Sequence, residues 1–155
     1  MANIEKKISQ MGITLPDTPA PIANYVPFVK TGKLVYLSGL GPAAEPDGSI
    51  PRGKLGFDMT VEEGYKAARL VGINVLARIK GAIGDLDKVK RVIKLLTMVN
   101  STPEFDQHPT VANGCSDLMV EVFGDRGRHA RSAVGMAGLP NGIPVEIEII
   151  IEVED

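Results

Sequence analysis

From Val145 the chain alternates apolar and acidic residues. Val145, Ile147, Ile149, Ile151 and Val153 fall on one side; Glu146, Glu148, Glu152 and Glu154 fall on the other, with Ile150 the only break. A period of two belongs to a strand with one face in an apolar core. A second apolar run begins after Arg131, and Leu139-Pro140-Asn141-Gly142 between the runs reads as a tight turn. Lys90 to Val99 is apolar and β-rich, which predicts a central strand. Val26 to Lys30 and Leu34 to Ser38 read as a hairpin around Thr31-Gly32. Elsewhere the period lengthens. Thr60 and Glu63 form a capping box, Val61, Tyr65, Ala68, Val71, Val75 and Ile79 share one helical face, and Gly84 supplies a stop. Thr110 is the expected cap of a second helix, with Val111, Cys115, Leu118 and Val122 as its buried stripe and Gly124 as its end. Ile4, Ile8 and Met11 suit a short amphipathic helix. Residues 12–24 hold Pro16, Pro19 and Pro21 and read as an extended lead-in. Gly41 to Gly56 holds three prolines and four glycines, as a loop and candidate site rim would.

The order β-β-α-β-α-β-β predicts an α+β fold: a mixed β-sheet with two helices packed on one face. The other face is then partly apolar, and burial against further subunits is the natural way to cover it. At 155 residues the chain suits one domain spanning 1–155, with 1–24 as an N-terminal extension and lead-in. A formal charge of −2 gives no pull toward nucleic acid or membrane. No apolar run would span a bilayer, and the N-terminus lacks the apolar core of a signal peptide. One cysteine, Cys115, leaves no internal disulfide and suits a reducing cytoplasm. On the core side of its helix it reads as a packed thiol. Two histidines and one cysteine lack the spacing of a structural metal site.

Candidate chemistry centres on Arg131 and Glu146. An arginine fork holds a carboxylate through two parallel hydrogen bonds. A nearby glutamate can hold or deprotonate a water. Together they suggest a site for a small acidic metabolite. The plainer reading is a solvated arginine and a glutamate on a wet sheet face.

The same segment, ARSAVGMAGLPNGIPVEIEIIIEV, closely resembles the C-terminal signature of the RidA family, also called YjgF-like, the reactive intermediate deaminases. Three further stretches resemble the family in order. They are Ala20-Pro21-Ile22-Ala23-Asn24-Tyr25-Val26, then Leu34-Val35-Tyr36-Leu37-Ser38-Gly39, then Thr110-Val111-Ala112-Asn113 with one extra residue. The resemblance implies a chorismate-mutase-like fold assembled as a homotrimer, with sites in clefts between subunits. It implies hydrolysis of enamines or imines such as 2-aminoacrylate to 2-keto acids and ammonia, with no metal or organic cofactor. In that reading Arg131 binds the substrate carboxylate and Glu146 positions the water. Tyr25 and Ser38 line the pocket, Gly39 offers a backbone N–H, Asn113 stands near the site, and Ala133 contributes backbone groups. Each has a plain alternative: a surface aromatic, a strand-end hydroxyl, a residue in a first helical turn. Ala133 stands where the family often has cysteine, Gly135 where it often has an acid, and Gly138 where it often has a basic or larger residue. The 41–56 loop is longer than expected. These departures suggest a divergent subgroup with its own substrate. Two other functions compete. One is a non-enzymatic module that binds a keto acid in the same pocket. The other is the endoribonuclease activity of an older family label, to which the basic clusters Arg126, Arg128, His129, Arg131 and Lys88, Lys90, Arg91, Lys94 would speak. Neither cluster has an aromatic stacking platform beside it.

Overall fold

A computed structural model describes residues 3–154; Met1, Ala2 and Asp155 lie outside the described residues. Helix α1 (Asn3–Gln10) buries Ile4 and Ile8. Its first backbone N–H groups, on Asn3 and Ile4, both donate to the Asp87 carboxylate at 2.8 Å. An acid at that end satisfies otherwise orphaned donors. Strands β1 (Phe28–Thr31) and β2 (Leu34–Leu40) form the expected hairpin, with Gly32 at φ 56° in the turn. Helix α2 (Val61–Ile83) begins at the Thr60–Glu63 capping box and ends at Gly84, φ 81°. Strand β3 (Val89–Asn100), helix α3 (His108–Phe123), strand β4 (Ala130–Met136) and strand β5 (Val145–Val153) complete the fold.

Helix α3 begins two residues before Thr110, which lies inside its first turn. Pro109 explains the shift: its fixed φ and missing N–H suit the start of a helix. No side chain caps this end. The buried stripe is the expected one: Val111, Cys115, Leu118 and Val122 are all within 1 % of full burial.

The sheet order is β1-β2-β5-β3-β4. The neighbours are antiparallel except β3 and β4, which are parallel and joined through α3 as the crossover helix. The tight turn at 140–142 is present, with Asn141 at φ 57°. The two strands that flank it do not pair, because β3 lies between β4 and β5. Both α2 and α3 bury their apolar stripes with Val35, Leu37, Leu95, Val99, Val145, Ile147, Ile149 and Ile151 in one core cluster. The two helices pack closely. A Cβ on Gly114 of α3 would run into the Tyr65 carbonyl oxygen of α2. The opposite sheet face leaves apolar surface open: Val29, Tyr36 and Val134 are 55, 42 and 39 % exposed.

Candidate functional site

Arg131 is the second residue of β4 and pairs with Leu95, whose side chain is fully buried beneath the helices. Its side chain therefore rises toward α3. Nη1 donates to Asn113 Oδ1 at 2.8 Å and to Ser116 Oγ at 3.1 Å; Nη2 leans on the Pro109 carbonyl at 3.4 Å. A second rank lies behind. His129 Nδ1 is 2.7 Å from the Gly127 carbonyl, and Nε2 is 2.9 Å from Ser116 Oγ. A carbonyl only accepts, so Nδ1 carries the hydrogen and Nε2 accepts from the serine hydroxyl. The serine lone pairs then face the arginine. Burial holds the His129 pKa below its ordinary value, and the Arg131 charge adds to this against the opposing Gly127 bond. The ring is thereby kept neutral, as the chain of bonds requires. Cys115 is fully buried nearby, and burial pushes its thiol up to about 12 against the pull of Arg131. It is packing, not a nucleophile.

Glu146 pairs with Met98, three residues along β3 from Leu95 in unbroken register. Alternation places it on the face away from the helices. Burial, and then the neighbouring Glu148 charge, raise its carboxyl pKa above the ordinary value. Gly39 packs against it: a Cβ there would stand 2.6 Å from Glu146 Oε2. The register of β2 on β5 shifts between Leu37 and Leu40, and this bulge carries Ser38 and Gly39. Ser38 Oγ donates to the Val26 carbonyl at 2.6 Å, and Ser38 N donates to the Pro27 carbonyl at 3.0 Å. Those bonds hold the Tyr25 segment against the strand end. Tyr25, Ser38 and Gly39 line one recess with Arg78, with a volume near 20 Å³. Such a recess takes about one water.

The predicted residues thus gather in two groups on opposite faces of one sheet. Arg131, Asn113 and Ala133, the last paired with the buried Thr97, belong to the helix side. Glu146 and Gly39 belong to the other, while Tyr25 and Ser38 line a recess with Gly39 and with Arg78 of α2.

Sequence reasoning missed a third feature. Past Ala133, Gly135 floors an open cleft of about 640 Å³. Ser101 Oγ and His108 Nε2 meet above it at 3.1 Å, and the His108 ring stands edge-on to Phe105 at 5.1 Å. Lys54 enters from the 41–56 loop and donates from Nζ to the Ala137 carbonyl at 2.5 Å. The one signal in the sequence is Gly135 itself, standing where the resemblance leads one to expect an acid. The basic run near residue 129 is divided: Arg126 donates to the Val89 carbonyl, His129 and Arg131 bond within the fold, and Arg128 stays exposed beside Asp125.

The family model described as "YjgF/chorismate_mutase-like, putative endoribonuclease" matches residues 5–144. Among curated proteins, Protein TCP17 of Trypanosoma cruzi is 44 % identical over 98 % of this chain and 95 % of its own. The crystal structure of Atu1372 from Agrobacterium tumefaciens superposes with a TM-score of 0.88 at 46 % identity, covering 97 % of this chain and 94 % of that one. TdcF of E. coli, solved with bound serine, superposes with a TM-score of 0.62 at 28 % identity, over 88 % and 93 % of the two chains.

Proposed function

From the premise that this chain belongs to the YjgF/chorismate-mutase-like family, we propose that it hydrolyses 2-imino acids to 2-oxo acids and ammonia. We propose further that it does so as a homotrimer whose sites form between subunits. The observation that carries this reading is the division of the predicted residues. Arg131 stands braced on one sheet face, while Glu146 stands on the other. One chain does not bring them together, whereas a second copy laid against the first can. The open apolar face supplies a surface for that contact.

In this mechanism the Arg131 fork holds the substrate carboxylate through paired charge-assisted bonds. Asn113 and Ser116 fix the plane of the fork. Glu146 of a neighbouring subunit takes a proton from water as the water oxygen adds to the C=N carbon. Glu146 passes that proton to the imine nitrogen, which becomes the amine of a tetrahedral carbinolamine. The hydroxyl proton then moves through Glu146 to this amine as the C–N bond breaks, so ammonia leaves and the 2-oxo acid remains. A carboxyl with a raised pKa is the better base near neutral pH. The bound serine of TdcF supports a small carboxylate as ligand. Arg126 and Arg131 are engaged within the fold and Arg128 is paired with Asp125, which speaks against an RNA surface.

The test generates imines with an amino-acid oxidase and follows their loss by semicarbazide trapping. Imine loss should accelerate with this protein and not with Arg131→Lys, which keeps charge but loses the planar fork. A protein that binds 2-oxo acids and accelerates no imine would be a metabolite-binding module. A stable monomer in sedimentation equilibrium at micromolar concentration would remove the intersubunit site.

A further inference from the structure

The cleft over Gly135 lies on the same face of β4 as Arg131, four residues along the strand, and its walls describe what would enter it. Arg131, Ala133 and Gly135 lie on one face of β4, beneath the N-terminal half of α3. Arg131 reaches the carbonyl of Pro109, and His108, the residue before it, hangs its ring over Gly135. Ala133 lies between them on that face of the strand. A ligand whose carboxylate sits on Arg131 would extend along β4, past Ala133, to reach the cleft.

The polar groups there are held in place. Ser101 is 6 % exposed and fixes His108 Nε2, while Phe105 supports the ring edge. Glycine at 135 is required, because a Cβ would stand 2.6 Å from His108 Nε2 and 2.8 Å from Ser101 Oγ. The one charged lining group is the Lys54 ammonium. Its loop is tied down on both sides: Gly53 N donates to the Gly142 carbonyl, Leu55 N to the Asn100 carbonyl, and Asn100 Nδ2 to the Gly53 carbonyl. Lys54 gives one of its three donors to Ala137 and has others to offer. The remaining wall, Phe105, Pro103 and Met136, is largely apolar. An apolar stem ending in an acid fits this arrangement.

We propose that the cleft is the side-chain subsite of the reaction, and that it selects 2-imino and 2-oxo acids carrying a second carboxylate, which Lys54 and His108 receive. This rests on the reading of Arg131 given above. The long 41–56 loop and the glycine at 135, two of the departures that mark this chain, then serve one purpose. The loop brings a cation to the cleft, and the glycine leaves room for the His108–Ser101 pair.

Calorimetric titration of the intact protein with three stable 2-oxo acids tests this. 2-Oxoglutarate should bind about tenfold tighter than 2-oxobutyrate, a factor equivalent to about 1.4 kcal/mol. Phenylpyruvate should gain no such advantage. Lys54→Met, in a surface loop, should reduce the 2-oxoglutarate preference to about twofold or less. Gly135→Ala should do the same by displacing the His108–Ser101 pair. Equal binding of 2-oxoglutarate and 2-oxobutyrate, both dependent on Arg131, overturns the subsite and leaves the Arg131 reading intact. A preference for phenylpyruvate, or one for 2-oxoglutarate that survives Lys54→Met, also overturns it. Binding of 2-oxoglutarate that needs Lys54 but not Arg131 overturns the continuity of the two sites and the Arg131 reading together.

Discussion

Replacing Ser116 by alanine tests whether Arg131 is a prepared ligand or merely a side chain at rest. Ser116 has two bonds. Its oxygen accepts from Arg131 Nη1 at 3.1 Å, and its hydroxyl donates to His129 Nε2 at 2.9 Å. Hydrogen bonds to charged groups contribute about 1.5–3 kcal/mol, and an acceptor left unpaired in the interior costs about 1–3 kcal/mol. Asn113 still holds Nη1 after the change, so the lower end of the range applies to the arginine. Carboxylate affinity should fall roughly tenfold, since about 1.4 kcal/mol is a factor of ten. The half-buried His129 Nε2 adds a fold-stability loss on the order of 1 kcal/mol. Titration with 2-oxobutyrate reads the first, and urea denaturation the second. His129→Ala and the double variant complete a cycle, in which residues of one network couple by about 0.5–3 kcal/mol. The pH dependence has a definite sign. The folded His129 pKa lies below its unfolded value, so its contribution is present above that value and is lost as pH falls through the folded one. A protonated ring can no longer accept from Ser116, and carboxylate binding should weaken over the same window. Wild-type affinity in Ser116→Ala, with stability reduced, would make the chain of bonds structural only and refute the reasoning.

Glu146→Gln should raise stability at neutral pH while lowering imine turnover. The folded carboxyl pKa is raised, so wild type loses stability as pH rises through that window and glutamine does not; urea curves at two pH values check the crossover. Gly39→Ala should cut turnover more than 2-oxo acid affinity, because the added methyl displaces the Glu146 carboxylate and leaves Arg131 untouched; a change in affinity alone would count against that division. Cys115 should resist a thiol reagent until the protein unfolds, since it is fully buried and its thiol is pushed up to about 12; rapid labelling of the native protein would contradict the packing.

What could be read from the sequence was what depends on neighbours along the chain. The alternation of Val145–Val153, the capping box at Thr60 and the stops at Gly84 and Gly124 are local devices, and each stands where the pattern put it. Pairing is not local. A turn at Leu139–Gly142 suggested adjacent strands, but β3 offers two hydrogen-bonding edges and takes β4 on one and β5 on the other. That single insertion moves Arg131 and Glu146 to opposite faces. The start of α3 was legible in Pro109, though Thr110 drew attention by its hydroxyl. The Ser101–His108 pair was not legible. It depends on an atom that Gly135 lacks, seen only when α3 lies over β4.

The placement of Arg131 and Glu146 on opposite sheet faces also has a genetic consequence for the assembly proposed here. Each site borrows one essential side chain from each of two copies. A chain defective in its arginine and a chain defective in its glutamate, each inert alone, can rebuild a working site where they meet. In an equal mixture about a quarter of the sites would pair two sound halves, since the copies at a shared boundary are drawn independently. Inheritance of two different broken alleles would then leave a cell better off than two copies of either one.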